Sequence, residues 1–169
     1  QHTVIRQFRT AKKFSCGSGR IVNQHRVLRS IHLTHQAVHR FLLQHSGVNE
    51  VMERARRSDL SIVSCGDLTS RTPLTAINSV HERLPQLRKC GAIGEILGTF
   101  LDAHGVPVAH ELNETVIAMS PADLKKVPNS ILISGGLYKA DVIRAILAAG
   151  YVNNLVTDEA VAQRLLQRV

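Results

Sequence analysis

The chain has 169 residues, is 44% hydrophobic and 20% charged, and carries a formal net charge of +8 with three cysteines. That size and apolar content suit one ordinary core, a single domain or a large part of one, and exclude a small stapled scaffold. No apolar run reaches transmembrane length and no apolar signal segment opens the chain, so no membrane association and a cytoplasmic location are expected.

The charge is localised. Residues 1–45 hold eight Lys or Arg and no acid, whereas residues 46–169 hold thirteen basic and thirteen acidic side chains. The first segment also carries six of the nine histidines. Two readings stay open: contact with a phosphate backbone, or a solvated basic segment whose acidic neighbours lie elsewhere in a longer parent chain. Aromatic residues are scarce there and no recognition-helix pattern stands out, which favours the second reading.

Within the basic segment, "KKFSCGSGRIVNQHRVLRSIHL" allows a strand at 13–16, a glycine turn and a helix. Sharper periodicity begins at Val48. "VNEVMERARR" (48–57) places Val48, Val51, Met52 and Ala55 on one helical face, and "LSIVSCG" (60–66) reads as a buried strand ending at Gly66. "LTSRTPL" (68–74) is a loop. "AINSVHERLPQLRKCGAIGEILGTFLDAHG" predicts two helical pieces, Pro85 limiting the first and Gly105 closing the second, with a strongly apolar stretch from Ile93 to Leu101. "ELNETVIAM" (111–119) fits a strand.

"SPADLKKVP" (120–128) then punctuates a short helix: Ser120 as N-cap, Pro121 in the first turn, Asp123 at the capping-box spacing and Pro128 as the stop. "SILIS" (130–134) predicts a buried strand, Gly135 and Gly136 a turn, and Lys139 to Ala149 a helix with Val142, Ile143, Ile146 and Leu147 inward. Gly150 ends that helix, "NLVT" (154–157) is the next strand, and Asp158 caps a last helix. Strand and helix in tight alternation over 46–169 imply α/β architecture with a parallel sheet and right-handed crossovers.

Ligands of such sheets sit beyond the carboxyl ends of the strands. Four positions fall there: Cys65-Gly66-Asp67, Ser134-Gly135-Gly136, Thr157-Asp158 and Cys16-Gly17-Ser18-Gly19. Lys139 is the telling residue, a cation at the positive end of a helix, where only an anion between them removes the opposition. Solvent exposure of Lys139 is the plain alternative. For Asp102 a turn role competes with acceptance of a ligand hydroxyl, for Asp158 an N-cap role with a ligand contact, and Asp67 and Glu95, the latter opening the apolar helix, have structural readings too. Cys16, Cys65 and Cys90 lack metal-ligand spacing, Cys65 and Cys90 reading as small core residues, and His104 and His110 lack a partner acid or thiol. No nucleophile–base pair, metal cluster or cofactor motif is present, so no catalytic residue is assigned.

Taken together, the Gly-x-x-Gly of "CGAIGEILGTFLDAHGVPV", its "FxDxxGxPV" segment, the "GGxxK" turn at 135–139 and the "LVTDExxAxxLL" ending resemble the effector-binding, or sugar-binding, domain of SorC-type bacterial transcriptional regulators, relatives of the DeoR regulators. The resemblance runs over residues 40–169, while 1–39 match poorly, so a single and incomplete effector-binding domain is expected. It implies a Rossmann-like parallel sheet with flanking helices, similar to sugar-phosphate isomerases, that binds a phosphorylated sugar without turning it over. In that family the lysine of GGxxK approaches the phosphate and the aspartate of FxDxxG faces the sugar, roles that would fall to Lys139 and Asp102, with Ser134, Gly135 and Gly136 beside them and Gly66, Asp67 and Asp158 as further contacts. It further implies a homo-oligomer, dimer or tetramer, and operator DNA held by a helix-turn-helix domain not evident in this chain. A sugar-phosphate isomerase on the same fold is the alternative, with Asp67, Asp102 or Glu95 as its base.

Overall fold

The computed structural model describes residues 4–7, 31–32, 36–69 and 77–167, so the strand expected at 13–16 and the Cys16-Gly17-Ser18-Gly19 turn lie outside it. Strands β1 (Val4–Gln7) and β2 (Ile31–His32) precede helices α1 (Gln36–Gln44) and α2 (Ser46–Arg56). Then come β3 (Leu60–Val63), β4 (Cys65–Asp67), α3 (Asn78–His81), α4 (Leu84–Lys89), β5 (Gly94–Ile96) and β6 (Thr99–Leu101). The chain continues through α5 (Glu111–Glu114), β7 (Val116–Ile117), α6 (Pro121–Leu124) and β8 (Asn129–Ile133) to a 3-10 turn (Leu137–Lys139). It ends with α7 (Ala140–Ala148), β9 (Asn154–Thr157) and α8 (Glu159–Leu166).

The parallel sheet expected from the alternation is present: β3 pairs with β8 and β8 with β9, all parallel, and β1 joins the far side of β9. A small antiparallel sheet, β4-β5-β6, and an antiparallel pair of β2 with β7 stand beside it. Register sets Val63, Leu132 and Leu155 on one face of the parallel sheet, where they share a core with Ile143 and Ile146 of α7 and Val161 of α8. On the other face Leu60, Ile62 and Ile133 are 51%, 59% and 46% exposed. The runs 60–66 and 130–134 are therefore not uniformly buried strands. The first also breaks at Ser64, after which Cys65–Asp67 leaves the parallel sheet to pair with β5.

Four further expectations are corrected. The apolar stretch from Ile93 to Leu101 is a hairpin and not a helix: β5 and β6 are joined by a two-residue turn in which Leu97 has φ 54° and Gly98 φ 78°. Both values suit the mirror-image turn that matches strand twist, and helix cannot pass through them. Glu95 thus opens no helix, and Gly94 lets β5 sit against α7, since a Cβ there would stand 2.6 Å from Val142 Cγ2. Pro85 starts α4 in its first turn and does not end the helix before it. In 111–119 a helical turn comes first, capped by His110 Nδ1, which accepts from the Leu112 amide at 3.2 Å, and only Val116–Ile117 is strand. Cys90, read as a core residue, is exposed, whereas Cys65 is buried.

The better-marked elements form where the sequence punctuates them. Ser120 Oγ accepts from the Asp123 amide at 3.0 Å to start α6, and the Asp123 carboxylate pairs with Lys126 at 3.0 Å and Arg56 at 3.1 Å, tying α6 to α2. These contacts hold the Asp123 carboxyl below its usual range, Lys126 contributing most.

Candidate functional site

The carboxyl edge of the parallel sheet gathers Ser134-Gly135-Gly136 after β8, Thr157-Asp158 after β9 and, through β4, Cys65-Gly66-Asp67. Ser134 is bound from two directions: its amide donates to Val156 O at 3.1 Å, and the Cys65 thiol donates to its Oγ at 3.3 Å. Burial pushes that thiol up to about 11, against the pull of the Ser134 hydrogen bond and the Lys139 charge.

The double glycine serves an internal purpose. Asp158 Oδ2 accepts from the Gly136 amide at 2.6 Å, while Oδ1 accepts from the Val161 amide at 2.9 Å and caps α8. A Cβ on Gly135 would lie 2.6 Å from Asp158 Oδ2, so glycine there lets the carboxylate close on the turn. Gly136 has φ 96°, and a Cβ would lie 2.5 Å from the Tyr138 ring. The two amides hold the Asp158 carboxyl below its ordinary range, Val161 before Gly136. Asp158 therefore combines the expected N-cap with a grip on the turn, and the Gly136 amide is already engaged.

What the turn leaves available is Lys139. Half-buried, it is the last residue of the 3-10 turn and the N-cap position of α7, with Nζ 5.8 Å from the Tyr138 ring centroid. Among the described residues it makes no ion pair. Its charge acts instead on Glu95, which pairs in register with Gly66 and whose Oε2 accepts from the Gly98 amide at 2.9 Å. Burial pushes the Glu95 carboxyl above its ordinary range, with the Gly98 hydrogen bond and Lys139 pulling it back.

Two buried polar atoms complete the edge. Asp67, 4% exposed, accepts from the Thr69 amide at 3.2 Å through Oδ2, and its Oδ1 has no partner among the described residues; nor has Oγ1 of Thr157, 7% exposed. β4 packs against the 3-10 turn and α7, which sets Asp67 on an element adjoining Lys139.

Asp102 comes directly after the rung on which Asp67, Gly94 and Leu101 pair in register. It follows β6, and its Oδ1 accepts from the His104 and Val106 amides at 2.9 and 2.8 Å, closing a turn whose Gly105 packs on Ala145 and Ala149. Tyr151 Oη donates to Gly105 O at 2.7 Å. Gly105 thus rests on the second half of α7. The residues of the edge that sequence reasoning left aside are Thr157, quoted only as a neighbour of Asp158, and Glu95, misplaced with its helix; the glycine flanking "GEILG" was the available signal for the latter.

Among the described residues no group of three or more His, Cys, Asp or Glu side chains could hold a metal ion, and no helix is long and apolar enough to cross a membrane.

Comparison with known proteins gives a consistent picture. A family model described as "Putative sugar-binding domain" matches residues 9–167. The chain is 35% identical over 130 residues to the transcriptional regulator LsrR of Klebsiella pneumoniae, covering 74% of this chain and 40% of that protein. It is 32% identical over 128 residues to the erythritol catabolism regulatory protein EryD of Brucella abortus, with the same coverage of 74% and 40%. In structure it is similar to a DeoR family transcriptional regulator from Listeria monocytogenes, with a TM-score of 0.76 and 25% identity over 80% of this chain and 55% of that one. The full-length sorbitol operon regulator SorC from Klebsiella pneumoniae shares the fold, with a TM-score of 0.74 at 24% identity over 80% of this chain and 44% of that one. The chain thus spans about two fifths of the length of the curated relatives it matches, and those relatives are regulators by name, not enzymes.

Proposed function

Because the chain belongs to the family of sugar-binding domains of SorC- and DeoR-type transcriptional regulators, we propose that it senses a phosphorylated sugar or sugar alcohol for such a regulator. The observation that carries this reading is Lys139: a half-buried cation at the opening of α7, without an ion pair among the described residues, on the sheet edge where α/β folds hold ligands. Lys139 takes the phosphate, and the backbone of Ser134, Gly135 and Gly136 shapes the approach, with Asp158 holding that turn in place. Gly66, Asp67 and Glu95 line the side of β4 and β5. Asp102, one residue beyond the rung that pairs Asp67, Gly94 and Leu101, faces the sugar in this reading while its Oδ1 closes a turn. The parallel sheet and its edge support the Rossmann-like reading, akin to sugar-phosphate isomerases.

Two relatives are named for erythritol catabolism and a sorbitol operon, and erythritol and sorbitol are both polyols, which supports an effector of that kind. In the parent protein the ligand works by preferring one conformation, which alters subunit contacts in a homo-oligomer and so the grip of a separate helix-turn-helix domain on operator DNA; the regulator relatives support a cytoplasmic setting. Thermal melting against a panel of sugar and polyol phosphates tests the reading. A ligand at a hundred times its Kd adds about 2.7 kcal/mol, or about 5–10 °C for a chain of this size. The matching unphosphorylated polyol should give a small fraction of that rise, and Lys139→Ala should remove it. Equal shifts with and without the phosphate would refute the phosphate contact.

A further inference from the structure

Buried polar atoms in folded proteins are almost always paired, and each exception asks for a partner that the chain does not supply. Among the described residues two side-chain atoms are such exceptions, Asp67 Oδ1 and Thr157 Oγ1. Both belong to residues more than nine-tenths buried. Thr157 adjoins the glycine turn, and Asp67 lies on the strand that packs against the 3-10 turn following it. Thr157 immediately precedes Asp158, whose carboxylate holds the Gly136 amide, and it follows Val156, whose carbonyl accepts from Ser134. Asp67 ends β4, which starts at the Cys65 bonded to Ser134 and packs against the 3-10 turn that carries Lys139.

We infer, building on the sensing role proposed above, that Asp67 and Thr157 are specificity-determining residues that bind hydroxyl groups of the effector's polyol portion, while its phosphate lies at Lys139. The chemistry separates the two ends. An ionised carboxylate oxygen only accepts, a threonine hydroxyl both donates and accepts, and a vicinal diol supplies both complements. A phosphate at Asp67 would set two anions together, so the anionic end belongs to the lysine and the hydroxylated end to the acid. The ligand class that fits is a polyhydroxylated phosphomonoester. An alkyl phosphate leaves Oδ1 of the buried carboxylate without a donor, and such sites reject analogues lacking the hydroxyl far more strongly than sites of apolar contact do.

Calorimetric titration of the full chain tests this with erythritol 4-phosphate, sorbitol 6-phosphate, butyl phosphate and inorganic phosphate as probes, and with melting temperatures of the unliganded variants alongside. At least one polyol phosphate should bind ten times or more tighter than butyl phosphate. Asp67→Asn should weaken it by about tenfold or more and Thr157→Val by about fivefold, leaving butyl phosphate unaltered. Neither substitution should lower the unliganded melting temperature, because neither atom has a partner to lose among the described residues. The inference is overturned if both variants bind the polyol phosphate like the wild type while Lys139→Ala abolishes binding, a result that leaves the sensing role standing. It is also overturned if the variants lose butyl phosphate equally, or if both melt several degrees lower, since each marks a structural role. Selective polyol loss in Asp67→Asn with Lys139→Ala unchanged would support the hydroxyl contacts and remove the phosphate assignment. A wild-type chain that binds none of the four probes overturns both.

Discussion

Gly136→Ala offers a quantitative test of how the turn is held. At φ 96° and ψ 127° the residue occupies backbone space that an L side chain enters only with strain of about 1–3 kcal/mol. The new methyl would also stand 2.5 Å from Tyr138 Cε1 and 3.1 Å from Cδ1. Tyr138 is exposed, so its ring can swing away at little packing cost, but it then leaves the Lys139 ammonium and forfeits a contact of about 0.5 kcal/mol. The total is about 2–3 kcal/mol, or a melting temperature about 5–10 °C lower for a chain of this length. The control is Gly47→Ala in α2, where the added Cβ meets only the His45 ring at 3.5 Å, and a stabilisation of about 0.4–1 kcal/mol is expected. Scanning calorimetry of the two variants beside the wild type decides the matter. A Gly136→Ala chain within a degree of wild type would mean that the turn relaxes freely, and the account of Asp158 gripping a strained glycine would fall with it.

Other outcomes follow from single contacts. Asn113→Ala should cost about 2–4 kcal/mol in urea denaturation, because half-buried Asn113 bonds Phe100 N at 2.8 Å, Phe100 O at 3.0 Å and Val108 O at 2.8 Å beside the buried Phe100, Val108 and Leu112. Ile143→Ala, at a fully buried position, should cost about 2–5 kcal/mol, whereas Ile62→Ser on the open sheet face should stay within about 0.5 kcal/mol; equal losses would show that the face assignment is wrong. Iodoacetamide at pH 8 should label exposed Cys90 and spare Cys65, whose thiol is buried and raised to about 11, as peptide mass spectrometry would read. Glu95 has a carboxyl raised in the folded chain, so its contribution to stability is complete below the unfolded value and declines as pH rises through the folded one. Glu95→Gln should therefore gain stability relative to wild type as pH increases, and a variant that loses stability relative to wild type over that rise would contradict the burial of that group.

Legibility tracked local punctuation. Ser120-Pro121, Asp158 before α8, and the run from β8 through Gly135-Gly136 to β9 are written in caps, glycines and periods that act within a few residues, and they fold as those signals direct. The stretch around Glu95 misleads because Ile93, Ile96, Leu97, Phe100 and Leu101 fit helical spacing, while three-residue strands are too short to display alternation. A leucine at φ 54° gives no compositional warning of a turn. Once the hairpin is misread, Asp102 is set at a helix end, and its place just beyond the rung of Asp67 cannot be foreseen. The orphaned oxygens of Asp67 and Thr157 depend on tertiary surroundings alone, so no local pattern announces them.

The carboxylate of Asp158 is planar and rigid, and its two oxygens belong to different clients. Oδ1 serves the first turn of α8, and Oδ2 serves the glycine turn 22 residues earlier. The start of α8 and the glycine turn are therefore fixed to one another, and a substitution that removes the carboxylate loosens both at once. Near the other end of the helix a second tie runs from Arg144 of α7 to the Arg164 carbonyl at 2.8 Å.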